Sequence, residues 1–173
     1  YDAAYGPEGA TRAFNKMKRE GATAAAREQS VLILGPWNHT SLNTRKTKFG
    51  EVEFGPNAGM DYDAELLRFY DVHLKGQRGE TTMPSVSIFM MGANEWRAET
   101  EWPPSRAVRT SSYLGGSGSR KKGTLTAEAP ERGAADSYAF DPGNPFWDKS
   151  YEKSYPYDQR ENEARPDVLV YTS

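Results

Sequence analysis

The feature that most constrains this chain is the stretch SVLILGPWNHTS at residues 30–41. Val31, Leu32, Ile33 and Leu34 run without a polar break, Gly35 and Pro36 end the run, and Trp37 and His39 follow. A strand with one wet face alternates apolar and polar residues. A continuous apolar run belongs to a strand covered on both faces, as in a parallel sheet flanked by helices. Proline has no N–H to give to a ladder, so Gly-Pro stops the strand at about residue 34. A helical pattern precedes it. In EGATRAFNKMKRE, residues 8–20, Ala10, Ala13, Phe14 and Met17 fall on one face, and Arg12, Lys16 and Arg19 face away. Pro7 and Glu8 suit the first turn and Gly21 suits the stop. GATAAAREQ then reads as a lead-in to the strand.

Beyond the histidine, residues 41–60 form an excursion, with Val52 and Phe54 on one side of a short extended piece. DYDAELLRFYDVHLKG predicts a helix over 62–75. Leu66, Leu67, Tyr70 and Leu74 make its stripe, Asp61 or Asp63 caps its start, and Gly76 sits at its end. The same acids invite a calcium reading, but the EF-hand spacing and loop glycine are missing. In PSVSIFMMG, Val86, Ile88 and Met90 alternate as in a strand. At EWPPSRA the character changes. Pro103 and Pro104 break the α/β rhythm, and RTSSYLGG, GTLTAE and DSYAFDPGNP read as short strands between turns. Asp141-Pro142-Gly143-Asn144 has the chemistry of a turn, and DVLVYTS reads as a last strand. Short strands in series predict a β-sandwich with almost no helix after residue 103. The predicted fold class is therefore α/β followed by all-β, with domains at 1–102 and 103–173. The late strands are expected to keep unpaired edges, which favours self-association and makes a homo-oligomer one expected state.

Composition narrows the function classes. The 173 residues carry a formal charge of −2, which implies no broad basic surface for nucleic acid. No apolar run approaches the ~18 residues of a membrane span. The absence of cysteine removes disulfides and thiolate metal sites. Apolar residues make up 36% and mean hydropathy is −0.82, lean for a self-contained domain, whereas aromatics reach 12%. Together these point to a piece of something larger. YDAAYGPEGA lacks the basic start and apolar core of a leader peptide. Any such leader is expected upstream of residue 1, which leaves both cytoplasm and secretion open.

A histidine leaving the end of a buried parallel strand sits at the carboxyl edge of the sheet, where open α/β sheets place their sites. In α/β-hydrolases the triad runs serine, acid, histidine along the chain. His39 suits the last place, and Asp2, 37 positions earlier and just ahead of the first helix, suits the acid. Imidazole accepts and returns a proton, and a carboxylate holds its tautomer and steadies the imidazolium. The nucleophile should stand in Gly-x-Ser-x-Gly. GGSGSRKKG comes nearest but ends in serine and does not join a strand to a helix. The plainer readings stand beside these: a lone histidine after a strand is commonly a structural hydrogen-bonding residue, and an acid near a terminus is commonly solvated. His73, mid-helix between Val72 and Leu74, reads as structural, and Trp96, Trp102 and Trp147 read as packing residues.

These residues, in this order, resemble the X-prolyl dipeptidyl peptidase and cocaine esterase family of serine hydrolases, which also includes α-amino acid ester hydrolases and glutaryl acylases. YD at 1–2 matches the end of its Gly-Trp-Tyr-Asp, LILGPWNHT its Gly-Pro-Trp-x-His, and LLRFYDVHLKG its Phe-Phe-Asp-x-His-Leu-x-Gly helix. VSIFMMGANEWRAETEWPP matches its strand and Met-Gly-x-x-x-Trp-Arg segment, and YLGGSG and RPDVLVYTS match its β domain. The resemblance covers nearly the whole chain. It implies that Asp2 and His39 are the triad acid and base. It also implies that residues 1 to about 102 are the last part of an α/β-hydrolase domain and 103–173 the beginning of a jelly-roll. Serine, oxyanion tyrosine and helical cap are then expected upstream. The Asp-to-His interval is longer than in the compact esterases, through GATAAAREQ. The expected activity is cleavage of an ester, an amide or a short X-prolyl peptide, with no metal or organic cofactor. Two other readings are a carbohydrate-binding jelly-roll module, with FWDKSYEKSYPYD offering exposed aromatics, and a hydrolase scaffold lacking its serine.

Overall fold

The computed structural model describes residues 6–38, 44–77, 84–116, 123–130, 135–146 and 155–173. The chain divides into two compact units, Tyr1–Arg106 with Glu152–Tyr157, and Ala107–Tyr151 with Asp158–Ser173.

The first unit opens with helix α1, Glu8–Glu20. Pro7 occupies its N-cap position, and Glu8 in the first turn and Lys18 and Arg19 in the last complement the helix dipole. Glu8 and Arg12 pair one turn apart at 3.1 Å. A second helix, α2, covers Ala24–Glu28, where the sequence pattern predicts only a lead-in. Its cause is local: Thr23 is extended and its hydroxyl accepts the Ala26 N–H at 3.1 Å, an N-cap on a run of alanines. Strand β1 is Leu32–Leu34 and ends at Gly35, as the Gly-Pro pair requires. The excursion folds into a hairpin of β2, Lys48–Phe49, and β3, Val52–Glu53, followed by a 3₁₀ turn at Pro56–Ala58.

Helix α3, Tyr62–Lys75, begins and stops where its sequence predicts. Asp61 accepts the Ala64 N–H at 3.2 Å, and Gly76 ends the helix in the left-handed region, φ 65°, with its N–H bonded to the Asp71 carbonyl. The apolar stripe is not covered: Leu67 is 63% and Leu74 76% exposed, and no described residue of the helix is buried.

Strand β4, Val86–Met90, lies between β1 and β5, Glu95–Glu99. It pairs parallel with β1, Leu32 opposite Val86 and Leu34 opposite Ile88, and antiparallel with β5. The expected parallel pair is therefore present, with an antiparallel strand on its far side. Successive side chains of β4 enter different cores. Val86 and Ile88 join Phe14 of α1 and Leu32 of β1, whereas Phe89 joins Phe49, Phe54 and Ala58 of the hairpin region. Trp102 packs on the first cluster and Trp37 and Trp96 on the second, as expected for Trp96 and Trp102.

The second unit is built on a three-stranded sheet in the order β6, Tyr113–Gly115, β7, Gly123–Thr126, and β8, Tyr171–Thr172. The first pair is antiparallel and the second parallel. A Cβ on Gly123 would stand 2.2 Å from the Tyr171 ring, so only glycine lets β8 close on β7. The turn at 141–144 forms as its residues predict, with the Asn144 N–H on the Asp141 carbonyl at 3.1 Å and the Gly143 N–H on its side chain at 2.8 Å. One expectation needs correction. Residues 136–140 of DSYAFDPGNP form no strand, because no described strand lies alongside to share a ladder, and Tyr138 and Phe140 stay exposed. The four-residue helix α4, Arg160–Glu163, is the one helix among the described residues after 103, in line with the expectation of almost none there.

Phe89 is 5% exposed at the centre of the second cluster, so Phe89→Ala should destabilise the chain by about 3–5 kcal/mol. Leu74→Ala, on the bare face of α3, should stay within about 0.5 kcal/mol. Urea denaturation of both variants beside the parent measures the contrast.

Candidate active site

The carboxyl end of β1 is held from several sides. Pro36 is fully buried. A Cβ on Gly35 would meet the Trp37 ring at 2.6 Å, so the glycine lets that ring fold back against its own strand. Trp37 in turn lies 5.9 Å from Trp96 and 6.5 Å, edge-on, from Tyr62. Asn38 follows, and its side-chain amide donates to the Tyr155 carbonyl at 2.8 Å. His39 comes next in the chain and, like Asp2, lies outside the described residues.

On the far side of the loop the chain is tied at Thr44 and Arg45 as well. Thr44 and Met60 exchange two hydrogen bonds of 2.8 Å, Thr44 Oγ1 and Met60 N–H each donating to the other's carbonyl. Arg45 reaches Asp61 at 2.6 Å. The residues that enter and leave the 39–43 stretch are thus anchored on Tyr155, Met60 and Asp61.

An apolar cavity of about 530 Å³ opens at this end of the sheet. Gly6 and Pro7 line it from the chain that follows Asp2. Leu34, Gly35 and Trp37 line it from the chain that precedes His39, and Phe89 and Met91 complete it from β4 and just beyond. Segments flanking both candidate residues therefore share one cavity. A second cavity, about 510 Å³, lies among α1, β1 and α3, with Phe14, Met17, Leu32 and Leu66 in its lining.

His73 is in the last turn of α3, its ring 4.2 Å from that of Phe69, as a structural histidine would be. The acids of DYDAE serve the helix: Asp61 caps it and pairs with Arg45. Among the described residues, no three His, Cys, Asp or Glu side chains gather as a metal centre would require. Tyr157, offered by the sequence as an exposed aromatic, is 6% exposed, its ring 5.2 Å from that of Tyr155. In the second unit, the Tyr171 hydroxyl donates to Asp136 at 2.8 Å, and this bond holds its pKa above the usual tyrosine value.

Among the described acids near the loop, Asp61 has a displaced pKa. The hydrogen bond from Arg45, with the Ala64 N–H behind it, favours the carboxylate and lowers its pKa, while the same bond raises that of Arg45. Arg106 lowers Glu99 in the same way at the end of β5.

Comparison with known proteins adds three findings. The family model described as the X-Pro dipeptidyl-peptidase C-terminal non-catalytic domain matches residues 79–173, which span β4 to β8. A cocaine esterase of Rhodococcus sp. (strain MB1 Bresler) is 35% identical over 155 residues, covering 82% of this chain and 27% of the relative. Inferred serine esterases of Mycobacterium bovis and Mycobacterium tuberculosis are each 36% identical over 160 residues, covering 83% of this chain and 23% of theirs. The chain thus spans about a quarter of the length of these relatives. Both Asp2 and His39 precede the span that the family model matches.

The Asp61 geometry carries a pH dependence. A carboxylate whose pKa is lower folded than unfolded stabilises the fold fully above its unfolded value, about 3.9, and loses that contribution as pH falls through the folded value. Asn caps a helix about as well as Asp, so Asp61→Asn removes mainly the ion pair. The parent should melt higher than this variant at pH 7, and the gap should close below about pH 4. Melting curves from pH 7 to pH 3 read the difference.

Proposed function

This chain belongs to the X-Pro dipeptidyl-peptidase and cocaine esterase family, and from that premise we propose that it forms the rear part of a serine hydrolase: the end of an α/β-hydrolase domain and the start of a jelly-roll domain. His39 is the general base of the triad and Asp2 its acid. The nucleophilic serine, its oxyanion hole and the cap are supplied by chain preceding residue 1. The observation that carries this reading is the cavity at the carboxyl end of β1 and β4, because its lining joins the segment that follows Asp2 to the segment that precedes His39.

In the proposed reaction the serine hydroxyl attacks an ester or amide carbonyl while one His39 ring nitrogen takes its proton. The other nitrogen donates to Asp2, which fixes the tautomer and stabilises the imidazolium. Collapse of the tetrahedral intermediate releases the alcohol or amine, which leaves with the proton that His39 returns. Water then adds to the acyl-enzyme, with His39 again as base, and frees the acid and the serine. The apolar lining by Leu34, Trp37, Phe89 and Met91 suits an uncharged acyl or short peptidyl group. The substrate class is accordingly a small ester, amide or short peptide. The second unit lies wholly within the span matched by the non-catalytic domain model, which favours a supporting role for it.

A fluorophosphonate probe, which labels activated serines, should mark the full-length protein and leave the 173-residue chain unlabelled. His39→Ala in the full-length protein should lower kcat for 4-nitrophenyl acetate by roughly 10⁴–10⁶-fold, because triad members act as a unit. Probe labelling of a serine within residues 1–173, or full turnover without His39, would sink the assignment.

A further inference from the structure

One short piece of the later chain is built into the first unit. Residues 107–151 and 158–173 belong to the second unit, but the stretch between them, Glu152–Tyr157, belongs to the first. Its described part, residues 155–157, makes two hydrogen bonds there and buries one ring. The Tyr155 carbonyl accepts from the Asn38 side chain at 2.8 Å across 117 positions of sequence. The Pro156 carbonyl accepts from the Glu51 N–H, also at 2.8 Å, at the turn of the β2–β3 hairpin. The Tyr157 side chain is buried, and its ring packs on that of Tyr155.

The two hydrogen-bond partners lie on opposite sides of the 39–43 stretch in sequence: Asn38 immediately precedes His39, and Glu51 lies in the hairpin that follows. Consecutive carbonyls of one short segment therefore tie the strand exit to the hairpin. The segment suits the task, since Pro156 has a fixed φ and loses little conformational freedom when it docks. Asn38 suits it too: a half-buried amide donor bonded to a main-chain carbonyl fixes both its own rotamer and the direction in which the chain leaves β1.

We propose that residues 155–157 are a strap that sets the position of the loop carrying the general base, with Asn38 as the positioning residue through which it acts. The inference rests on the assignment of His39 as the base. A base must sit within hydrogen-bond reach of the nucleophile, and a misplacement of about 1 Å can cost ~10²-fold in rate. The strap then acts on the chemical step and leaves substrate binding nearly untouched.

The test uses the full-length hydrolase with 4-nitrophenyl acetate. Asn38→Ala should lower kcat by about 10–100-fold with KM within about threefold, and Asn38→Gln, which keeps a donor on a longer arm, should recover part of the loss. Tyr157→Ala removes the buried ring that backs Tyr155 and should lower kcat to a similar degree. The double variant should fall no further than either single one, since both remove the same constraint. Hydrogen exchange gives a readout independent of activity: in either single variant the Glu51 amide should exchange about tenfold faster, as expected when its acceptor is released. Parental kcat in both single variants, with His39→Ala inactive, would overturn the positioning role alone. Unchanged Glu51 exchange in Tyr157→Ala would overturn the strap, whatever His39→Ala shows. Full activity in His39→Ala would overturn the base assignment and the positioning role with it.

Discussion

The first unit depends on β4 being buried from both sides. Val86 is wholly inaccessible, Ile88 and Phe89 nearly so, and consecutive residues feed two different cores. A strand in that position cannot shift by one residue, because the shift would exchange its two faces and send Ser87 into the core that Val86 and Ile88 now fill. The parallel register with β1 follows, with Leu34 fixed opposite Ile88. The end of β1, the buried Pro36 and the folded-back Trp37 are then fixed as well. The candidate site is a consequence of that register: the cavity lies where these two strands end, walled by their last paired residues, among them Leu34 and Phe89, and by Gly35, Trp37 and Met91 just beyond.

What could be read from the sequence was mostly what is decided locally. Both long helices start and stop where their punctuation places them, α1 between Pro7 and Gly21 and α3 between Asp61 and Gly76. Each end needs only its own neighbours. Helix α2 obeys the same rule through Thr23, but five residues give too little periodicity to distinguish a helix from a lead-in. The later chain was harder to read. Tyr138 and Phe140 alternate like strand residues, yet a strand exists only where another lies beside it, and β-propensity carries no information about partners. Likewise β8 is held by the Tyr171 ring lying over Gly123, a fit between residues 48 positions apart.

The candidate site divides along the same line. The pairing of Asp2 with His39 as acid and base was suggested by order along the chain and by the chemistry of an imidazole after a buried strand. Asn38 drew no notice, for a physical reason: its partner is a main-chain carbonyl, which every residue possesses, so no side-chain pattern marks Tyr155 as the acceptor. The aromatic run near residue 155 signalled something, but composition alone read it as a surface for ligands. In the structure Tyr157 faces inward.

The hydrogen bond between Asn38 and Tyr155 has a consequence for synthesis. Ribosomes extend a chain by about 5–20 residues each second, so the acceptor for Asn38 is made roughly 6–23 s after the donor. Most of the first unit can gather sooner, since β1, the hairpin, α3 and β4 all lie within the first 106 residues. Once β5 is made, and until Tyr155 follows, the strands of the nascent sheet are all present while the exit of β1 lacks this tie. The order of emergence from the ribosome therefore sets the order of assembly, scaffold first and loop anchor last.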